Sequence, residues 1–278
     1  MNNSNIHSRI FKEGSKTYFN SSAFFPEKVR EDVYTLYGFV RVVDNYVDAV
    51  PQQNEEFYHF KEQYYKALGG KESGDVIIDS FIELAERKQF SPGWTEAFFA
   101  SMEMDLTKST YNTLEETLEY IYGSAEVIGL FMARILELDL QADEYAKMLG
   151  RAMQYINFIR DINEDVRFGR TYLPTGNTGF LSLSEENAKE SPDQYRSFIR
   201  AQIDRFFQWQ DIAEKGFAHI SKRYLVPIKT ASDMYKWTAA QIRKDPFIVY
   251  RKKVKPSKPR IIFTGLCNFL TPRFLLGT

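Results

Sequence analysis

The stretch Pro26-Glu-Lys-Val-Arg-Glu-Asp-Val-Tyr-Thr-Leu-Tyr-Gly-Phe-Val-Arg-Val-Val-Asp-Asn-Tyr-Val-Asp48 sets the reading of the whole chain. Pro26-Glu27 opens a helix, because proline is favoured in a first turn. Val29, Val33, Leu36, Val40, Val43 and Val47 then recur every three or four residues and make one apolar stripe. At about 100° per residue the stripe is centred near Val29, Val40 and Val47; Asp44 falls about 60° from that centre and Asp48 about 100°. Two carboxylates therefore stand at the edge of an inward face, flanked by Tyr37 and Arg41. Partly buried carboxylates need cationic partners. A salt bridge to Arg41 meets that need, and so does a bound metal ion.

The same helical period continues along the chain. Asp79 to Arg87 reads as a short helix, and Ser91-Pro92 as cap and first turn of the next. Thr113-x-x-Glu116 is a capping-box pattern that starts a long helix running past Ile128 towards Leu138. Tyr145 to about Asp165 is a further helix. Ser191-Pro192-Asp193 starts another, with Tyr195, Phe198, Ile199, Ile203 and Phe206 on its apolar face. Leu225 to about Arg243 is the last long one. Arg170 to Ser184 is a loop. Alternating strand patterns and internal repeats are missing. The economical reading is one all-α domain over 1–278, with an N-terminal segment 1–20 and a tail 252–278.

Bulk properties narrow the function. A formal net charge of −1 supplies no basic field for nucleic acid. The single Cys267 excludes a disulfide framework and a Cys-based zinc site, which suits a reducing cytoplasm. His7, His59 and His219 are scattered and make a His-based metal site a poor prospect. The N-terminus lacks a signal-peptide core, and no stretch reaches the roughly 18 apolar residues of a membrane span. Aromatic content of 15%, with 23 Phe and 17 Tyr, is enough for a large core or for a long apolar cavity. Arg251-Lys-Lys-Val-Lys-Pro-Ser-Lys-Pro-Arg260 precedes an apolar tail from Ile261 to Leu276. That pairing reads as a solvated loop with a packed tail, or as contact with anionic lipid or a diphosphate.

Carboxylates four residues apart share a helix face and together suit Mg²⁺, which takes a few carboxylate oxygens plus water and phosphate. The spacing alone proves little, because it occurs four times: Asp44/Asp48, Asp75/Asp79, Asp139/Asp143 and Asp161/Asp165. Asp75/Asp79 lies at a helix start and Asp139/Asp143 in a polar link, so both are read as structural. Gln154, Asn157, Asp161 and Asp165 form one polar stripe opposite Tyr145, Leu149, Ala152 and Ile156, which by itself looks like a solvent-exposed face. Arg167, Arg170 and Tyr172 follow it. Two acidic helices facing each other would repel, and divalent ions with an anionic ligand such as diphosphate would relieve that repulsion.

At these residues the chain resembles the squalene/phytoene synthases, head-to-head prenyl synthases of the all-α isoprenoid-synthase fold. Four segments carry the resemblance: Gly14-Ser-Lys-Thr-Tyr-Phe19, Leu36 to Asp48, Tyr120-Ile-Tyr-Gly-Ser-Ala-Glu-Val-Ile-Gly129, and Gln154 to Asp165 followed by Gly169-Arg-Thr-Tyr-Leu-Pro174. The last, with its Gly-Arg-x-Tyr-Leu-Pro extension, is highly specific. The resemblance implies a helical bundle around a central apolar cavity. It implies that Asp44, Asp48, Asp161 and Asp165, with Asn157, hold two or three Mg²⁺ ions against diphosphate. Arg41, Gln154, Asn157 and Arg160 would position diphosphate or its metals; Ser15, Tyr37 and Tyr120 would line the reaction chamber; Tyr235 and Arg251 would contribute late. Asn45 departs from the family, many of whose members carry an acid there.

The implied reaction condenses two prenyl diphosphates head to head, through a cyclopropyl diphosphate, to phytoene or a thirty-carbon analogue. NADPH would be needed only for squalene, and no Gly-x-Gly-x-x-Gly unit marks a site for it. Gly123, Ser124, Ala125, Gly129 and Ala133 read equally as room for a prenyl chain or as close helix packing. Two other readings compete: a non-catalytic subunit that keeps the fold, and a membrane-peripheral protein acting through its basic, apolar C-terminus.

Overall fold

The computed structural model describes residues 3–14, 19 and 22–271. The described residues form α1 (Asn3–Gly14), α2 (Glu27–Asp48), α3 (Asn54–Leu68), α4 (Val76–Arg87), α5 (Pro92–Thr107), α6 (Leu114–Ile121), α7 (Val127–Ile135), α8 (Asp143–Arg160), α9 (Ile162–Arg167), α10 (Glu185–Glu190), α11 (Pro192–Lys215), α12 (Lys222–Lys244), α13 (Ile248–Arg251) and α14 (Lys258–Leu270). The only extended pairing among them is one isolated bridge between Thr110 and Thr171.

The valine stripe folds as its period requires. Val29, Val33, Leu36, Val43 and Val47 are buried, and α2 packs against α1, α3, α4 and α5. Most aromatics enter the core. Phe39 stacks on Phe81 at 3.8 Å, and Phe57, Phe98, Phe99 and Phe131 are fully buried beside them.

Capping bonds and an ion pair account for two of the four Asp-x-x-x-Asp pairs. Asp75 accepts the N–H of Ile77 at 2.7 Å, and Asp79 accepts from the N–H and hydroxyl of Ser73. Asp139 accepts the N–H of Gln141, and Asp143 pairs with Arg134. Thr113 caps α6 through the N–H of Glu116, while the Glu116 carboxylate returns to the N–H of Asn112. Ser91 holds the N-cap position of α5, but its side chain makes no capping bond.

Three helical expectations are corrected. The helix read through Asp165 breaks at Asp161, where φ is −99° and ψ 9°, into α8 and α9. Arg160 forks onto the adjacent Asp161, and neighbours i and i+1 do not face each other on a regular helix. The helix from Thr113 is interrupted by a π turn, Tyr122–Glu126. Leu225 to Arg243 lies in α12 but is not the last helix: α14 follows and packs on α12. The segment 1–20 contains α1, which the sequence reading left unassigned.

The small residues near the π turn serve close packing. A Cβ at Gly123 would stand 2.0 Å from the Ala97 carbonyl oxygen, and one at Gly129 would stand 2.2 Å from that of Ala146. Gly123→Ala should therefore overpack the joint and cost about 1–3 kcal/mol. A thermal melt followed by circular dichroism should show the midpoint falling by roughly 2–4 °C per kcal/mol. An unchanged midpoint would mean that α5 moves aside freely.

Candidate active site

At the C-terminal end of α2, Arg41 forms an ion pair with Asp44 one turn on. The salt bridge read from the sequence is thus present. Asp44 is half-buried and Asp48 46% exposed at its side chain, as their angles from the valine stripe require. Gly14 packs against the same group: a Cβ there would lie 2.5 Å from the Tyr37 hydroxyl and 3.2 Å from Arg41 Cδ.

The second acidic segment is turned back by its own helix end. Gly169 has φ +73°, the Gly169 N–H donates to the Val166 carbonyl, and the Arg170 N–H donates to that of Asp165. This is a left-handed helix stop in which glycine is favoured because it has no Cβ. The reversal sends Arg170 into the fold. Its guanidinium donates to Asp48 Oδ1 at 2.7 Å, to the Val47 carbonyl at 2.5 Å and to the Tyr172 hydroxyl at 3.3 Å. One side chain from the Gly-Arg-x-Tyr-Leu-Pro segment thereby ties down the end of the helix carrying the first pair.

Beneath it lies Asp105 on α5, 6% exposed, a group that the sequence reading missed. The hydroxyls of Tyr120 and Tyr172 each donate to one of its carboxylate oxygens at 2.7 Å. Burial raises its pKa to about 6 against the pull of those two phenols and of Arg170. Burial also drives Tyr120 and Tyr172 well above the usual phenol range.

The charges converge on one end of the bundle. Burial, with Asp48 beside it, raises Asp44 to about 7. Burial, then Asp161 and Asp48, raises Asp165 to about 8. Asp48 thus acts on both pairs. Asp161 goes the other way: burial would raise it, but Arg160 and Lys253 outweigh burial and hold it below the usual carboxylate range. Lys253 lies 3.2 Å from Asp161 and also pairs with Glu164. The sequence reading had left this lysine within an undivided basic run.

The residues suit a hard divalent cation. All donors are oxygens, burial and neighbouring carboxylates raise Asp44 and Asp165, and Asn157 Oδ1 is buried without a hydrogen-bond partner. As the side chains stand, no three His, Cys, Asp or Glu groups among the described residues converge on one ion position. Arg41, Arg170, Arg160 and Lys253 occupy the carboxylates instead.

This crowding has a pH signature. A carboxyl whose pKa is raised by folding contributes stability below its ordinary value near 3.8 and loses it as pH rises through the folded value. Buried His7, its pKa lowered, works oppositely but only below 6.5. With a chelator present, the melting midpoint should fall between pH 6.5 and pH 8. A midpoint that rises across this window would mean that Asp44 and Asp165 are ordinary acids.

Next to the acidic end is an apolar cavity of about 330 Å³. Tyr37, Gln154 and Asn157 form its polar part, and the rest is largely aliphatic or small, including Ser124, Ala125, Gly129 and Ala133. Those small residues therefore both admit space and allow close packing. The polar stripe of α8, which looked solvent-facing, faces inward here, and Tyr145 and Leu149, read as opposite to it, line the same cavity. Burial raises Tyr37 to about 12, so it stays a neutral phenol.

The other expected site residues are scattered around this centre. Tyr120 is not among the cavity-lining residues and points to Asp105. Tyr235 is buried near Tyr37. Arg251 is exposed, pairs with Asp245, and shares a second hollow of about 340 Å³ with Arg160, Asp161 and Lys253. Ser15 lies outside the described residues.

A family profile described as squalene/phytoene synthase matches residues 11–260. The fold is the all-α isoprenoid-synthase bundle, and the class is a prenyltransferase of the head-to-head type. The chain belongs to the squalene/phytoene synthase family. It is 27% identical over 256 residues to a 15-cis-phytoene synthase of Paracoccus sp. (strain N81106 / MBIC 01143), covering 88% of this chain and 84% of that one. It is also 27% identical over 270 residues to a 15-cis-phytoene synthase of Synechocystis sp. (strain ATCC 27184 / PCC 6803 / Kazusa), with 91% and 80% covered. Among solved structures, a dehydrosqualene synthase in complex with ligand matches with a TM-score of 0.80 at 19% identity, covering 96% and 95% of the two chains. Squalene synthase HpnC from Alicyclobacillus acidocaldarius matches at 0.78 and 21%, covering 88% and 94%. These structural likenesses concern the fold.

Proposed function

We propose that the protein couples two molecules of geranylgeranyl diphosphate through a cyclopropyl diphosphate and releases phytoene. Farnesyl diphosphate with a thirty-carbon product is the alternative pairing. The observation that carries the reading is the junction of an apolar cavity with a crowded acidic end through Tyr37, Gln154 and Asn157. The named 15-cis-phytoene synthase relatives support the choice of product.

In this reading Asp44, Asp48, Asp161, Asp165 and Asn157 hold two or three Mg²⁺ ions. When bound, these ions neutralise the departing diphosphate. Arg41, Arg160 and Lys253 orient the diphosphate oxygens, with Gln154 on the cavity wall, and Arg251 and Tyr235 contribute late. Tyr37 turns a neutral phenol to the cavity, where it stabilises carbocations without being ionised enough to trap them. Asp105 fixes the Tyr120 and Tyr172 hydroxyls. Aliphatic walls exclude the water that would quench the cations.

The test is incubation of the purified protein and Mg²⁺ with geranylgeranyl or farnesyl diphosphate separately, with and without NADPH, followed by identification of the hydrocarbon. Phytoene formed regardless of NADPH is expected. A reduced thirty-carbon product that appears only with NADPH would assign squalene synthesis instead. No turnover of either substrate would favour a non-catalytic subunit.

A further inference from the structure

Helix α14 turns its apolar side outward. Its packed side holds Ile261, Gly265 and Asn268. The Asn268 amide donates to Thr230 Oγ1 at 3.2 Å and to Asp233 Oδ2 at 3.0 Å on α12. A Cβ at Gly265 would stand 2.5 Å from the Phe24 ring. The polar and small residues thus face the body, and the large hydrophobic ones face away. Phe263 is 70% exposed, Phe269 59% and Leu270 76%, with Ile262 and Leu266 beside them. At about 100° per residue these five fall within an arc of roughly 120°. Lys258 and Arg260 flank the arc on its two sides.

The charge along this segment is of one sign. From Pro246 to Thr278 the sequence has no Asp or Glu and seven Lys or Arg. Lys253 is engaged with the second acidic segment, and Arg251 with Asp245. Lys252, Lys258 and Arg260 are exposed. Lys222 lies over the Phe269 ring at 5.9 Å. A second copy of this face would bring cations against cations with no acid on this segment to pair them. No helix among the described residues is long and apolar enough to cross a membrane. An apolar arc edged by cations and too short to span is what an interfacial helix presents to an anionic bilayer.

We infer that α14 docks the protein on an anionic membrane surface. Phe263, Leu266 and Phe269 enter the acyl boundary, and Lys258 and Arg260 meet headgroup phosphates. The opposite side of the supporting helix adds a consequence. Ile228 and Ala231 of α12 line the apolar cavity, while Thr230 and Asp233 hold α14. The bilayer would lie one helix away from the hydrocarbon. This last point rests on the proposed coupling reaction, whereas the docking itself does not.

The test is flotation of the full chain with phosphatidylcholine vesicles, with and without phosphatidylglycerol. The wild-type protein should float with the anionic vesicles, less so as salt is raised. Phe263→Ser/Leu266→Ser/Phe269→Ser should weaken partitioning by about a hundredfold or more. Lys258→Gln/Arg260→Gln should weaken it by about tenfold. All three positions of the triple variant are exposed, so its melting curve and its diphosphate release in detergent should match wild type. Wild-type protein that ignores anionic vesicles, or a triple variant that floats as well as wild type, would overturn the inference. A wild-type dimer that the triple variant dissolves, without vesicle binding, would assign the face to self-association. Flotation needs no turnover, so an inactive protein that still floats would refute the coupling reaction alone.

Discussion

Asp161→Asn should reduce Mg²⁺-dependent diphosphate release by about 10²–10³-fold or more while leaving the fold intact. The amide keeps the volume of the carboxylate and removes its charge. Unlike Asp44 and Asp165, Asp161 is held below the usual carboxylate range, because Arg160 and Lys253 outweigh its burial. On the proposed reading its charge is therefore available to a cation at neutral pH, whereas Asp165, raised to about 8, gives up its proton when a cation arrives. The melting midpoint should fall, because Arg160 and Lys253 lose their charged partner, and the relief of repulsion on Asp165 offsets that loss only in part. Asp79→Asn supplies the control: it belongs to a pair of the same spacing, but its carboxylate is taken up by Ser73 and Gly74. Turnover should survive there. Wild-type turnover in Asp161→Asn, measured as pyrophosphate release, would remove the metal–diphosphate reading of this end of the bundle.

Arg170→Leu should destabilise the protein by about 3 kcal/mol, because it leaves a buried carbonyl and a carboxylate without their donor. For a chain of this size that corresponds to a fall of roughly 6–12 °C in the melting midpoint. The Val47 carbonyl, Asp48 and the Tyr172 hydroxyl all lose a donor at once. Turnover should fall as well, since Asp48 would no longer be held towards both pairs. Arg170→Lys keeps the charge but not the fork, so it should fall between the two. Equal midpoints for wild type and Arg170→Leu would show that the two acidic segments are held together by packing alone.

The parts of this arrangement that were legible in the sequence are those with a local cause. The valine stripe of α2 repeats at the helical period, and Asp75 and Asp139 stand where a helix or turn start needs an acceptor. Asp105 has no local signal. It sits between Met104 and Leu106 on a helix with apolar residues on several sides, and its partners Tyr120 and Tyr172 are 15 and 67 residues away. The stripe Gln154, Asn157, Asp161 and Asp165 looks solvent-facing when taken alone, because a helical wheel distinguishes polar from apolar but not a wet cavity from bulk water; only the family resemblance assigns it to a site. The basic run from Arg251 was ambiguous for a related reason. The fold divides it, sending Lys253 to Asp161 and leaving Lys252, Lys258 and Arg260 at the surface. The break at Asp161 has no Gly or Pro to announce it.

Three of the four aspartates arrive with counter-ions drawn from their own chain: Arg41 for Asp44, Arg170 for Asp48, and Arg160 with Lys253 for Asp161. On the proposed reading this sets an order of events. A divalent ion arriving alone finds carboxylates already compensated, and a diphosphate arriving alone finds cations already engaged. When both arrive, the pairs exchange partners, metal to carboxylate and diphosphate to guanidinium and ammonium. Each ligand should therefore bind more tightly in the presence of the other, by the same factor in both directions. Such reciprocity would make the end of the bundle a coincidence detector, in which a prenyl diphosphate is held for ionisation only once the charge that drives its departure is in place.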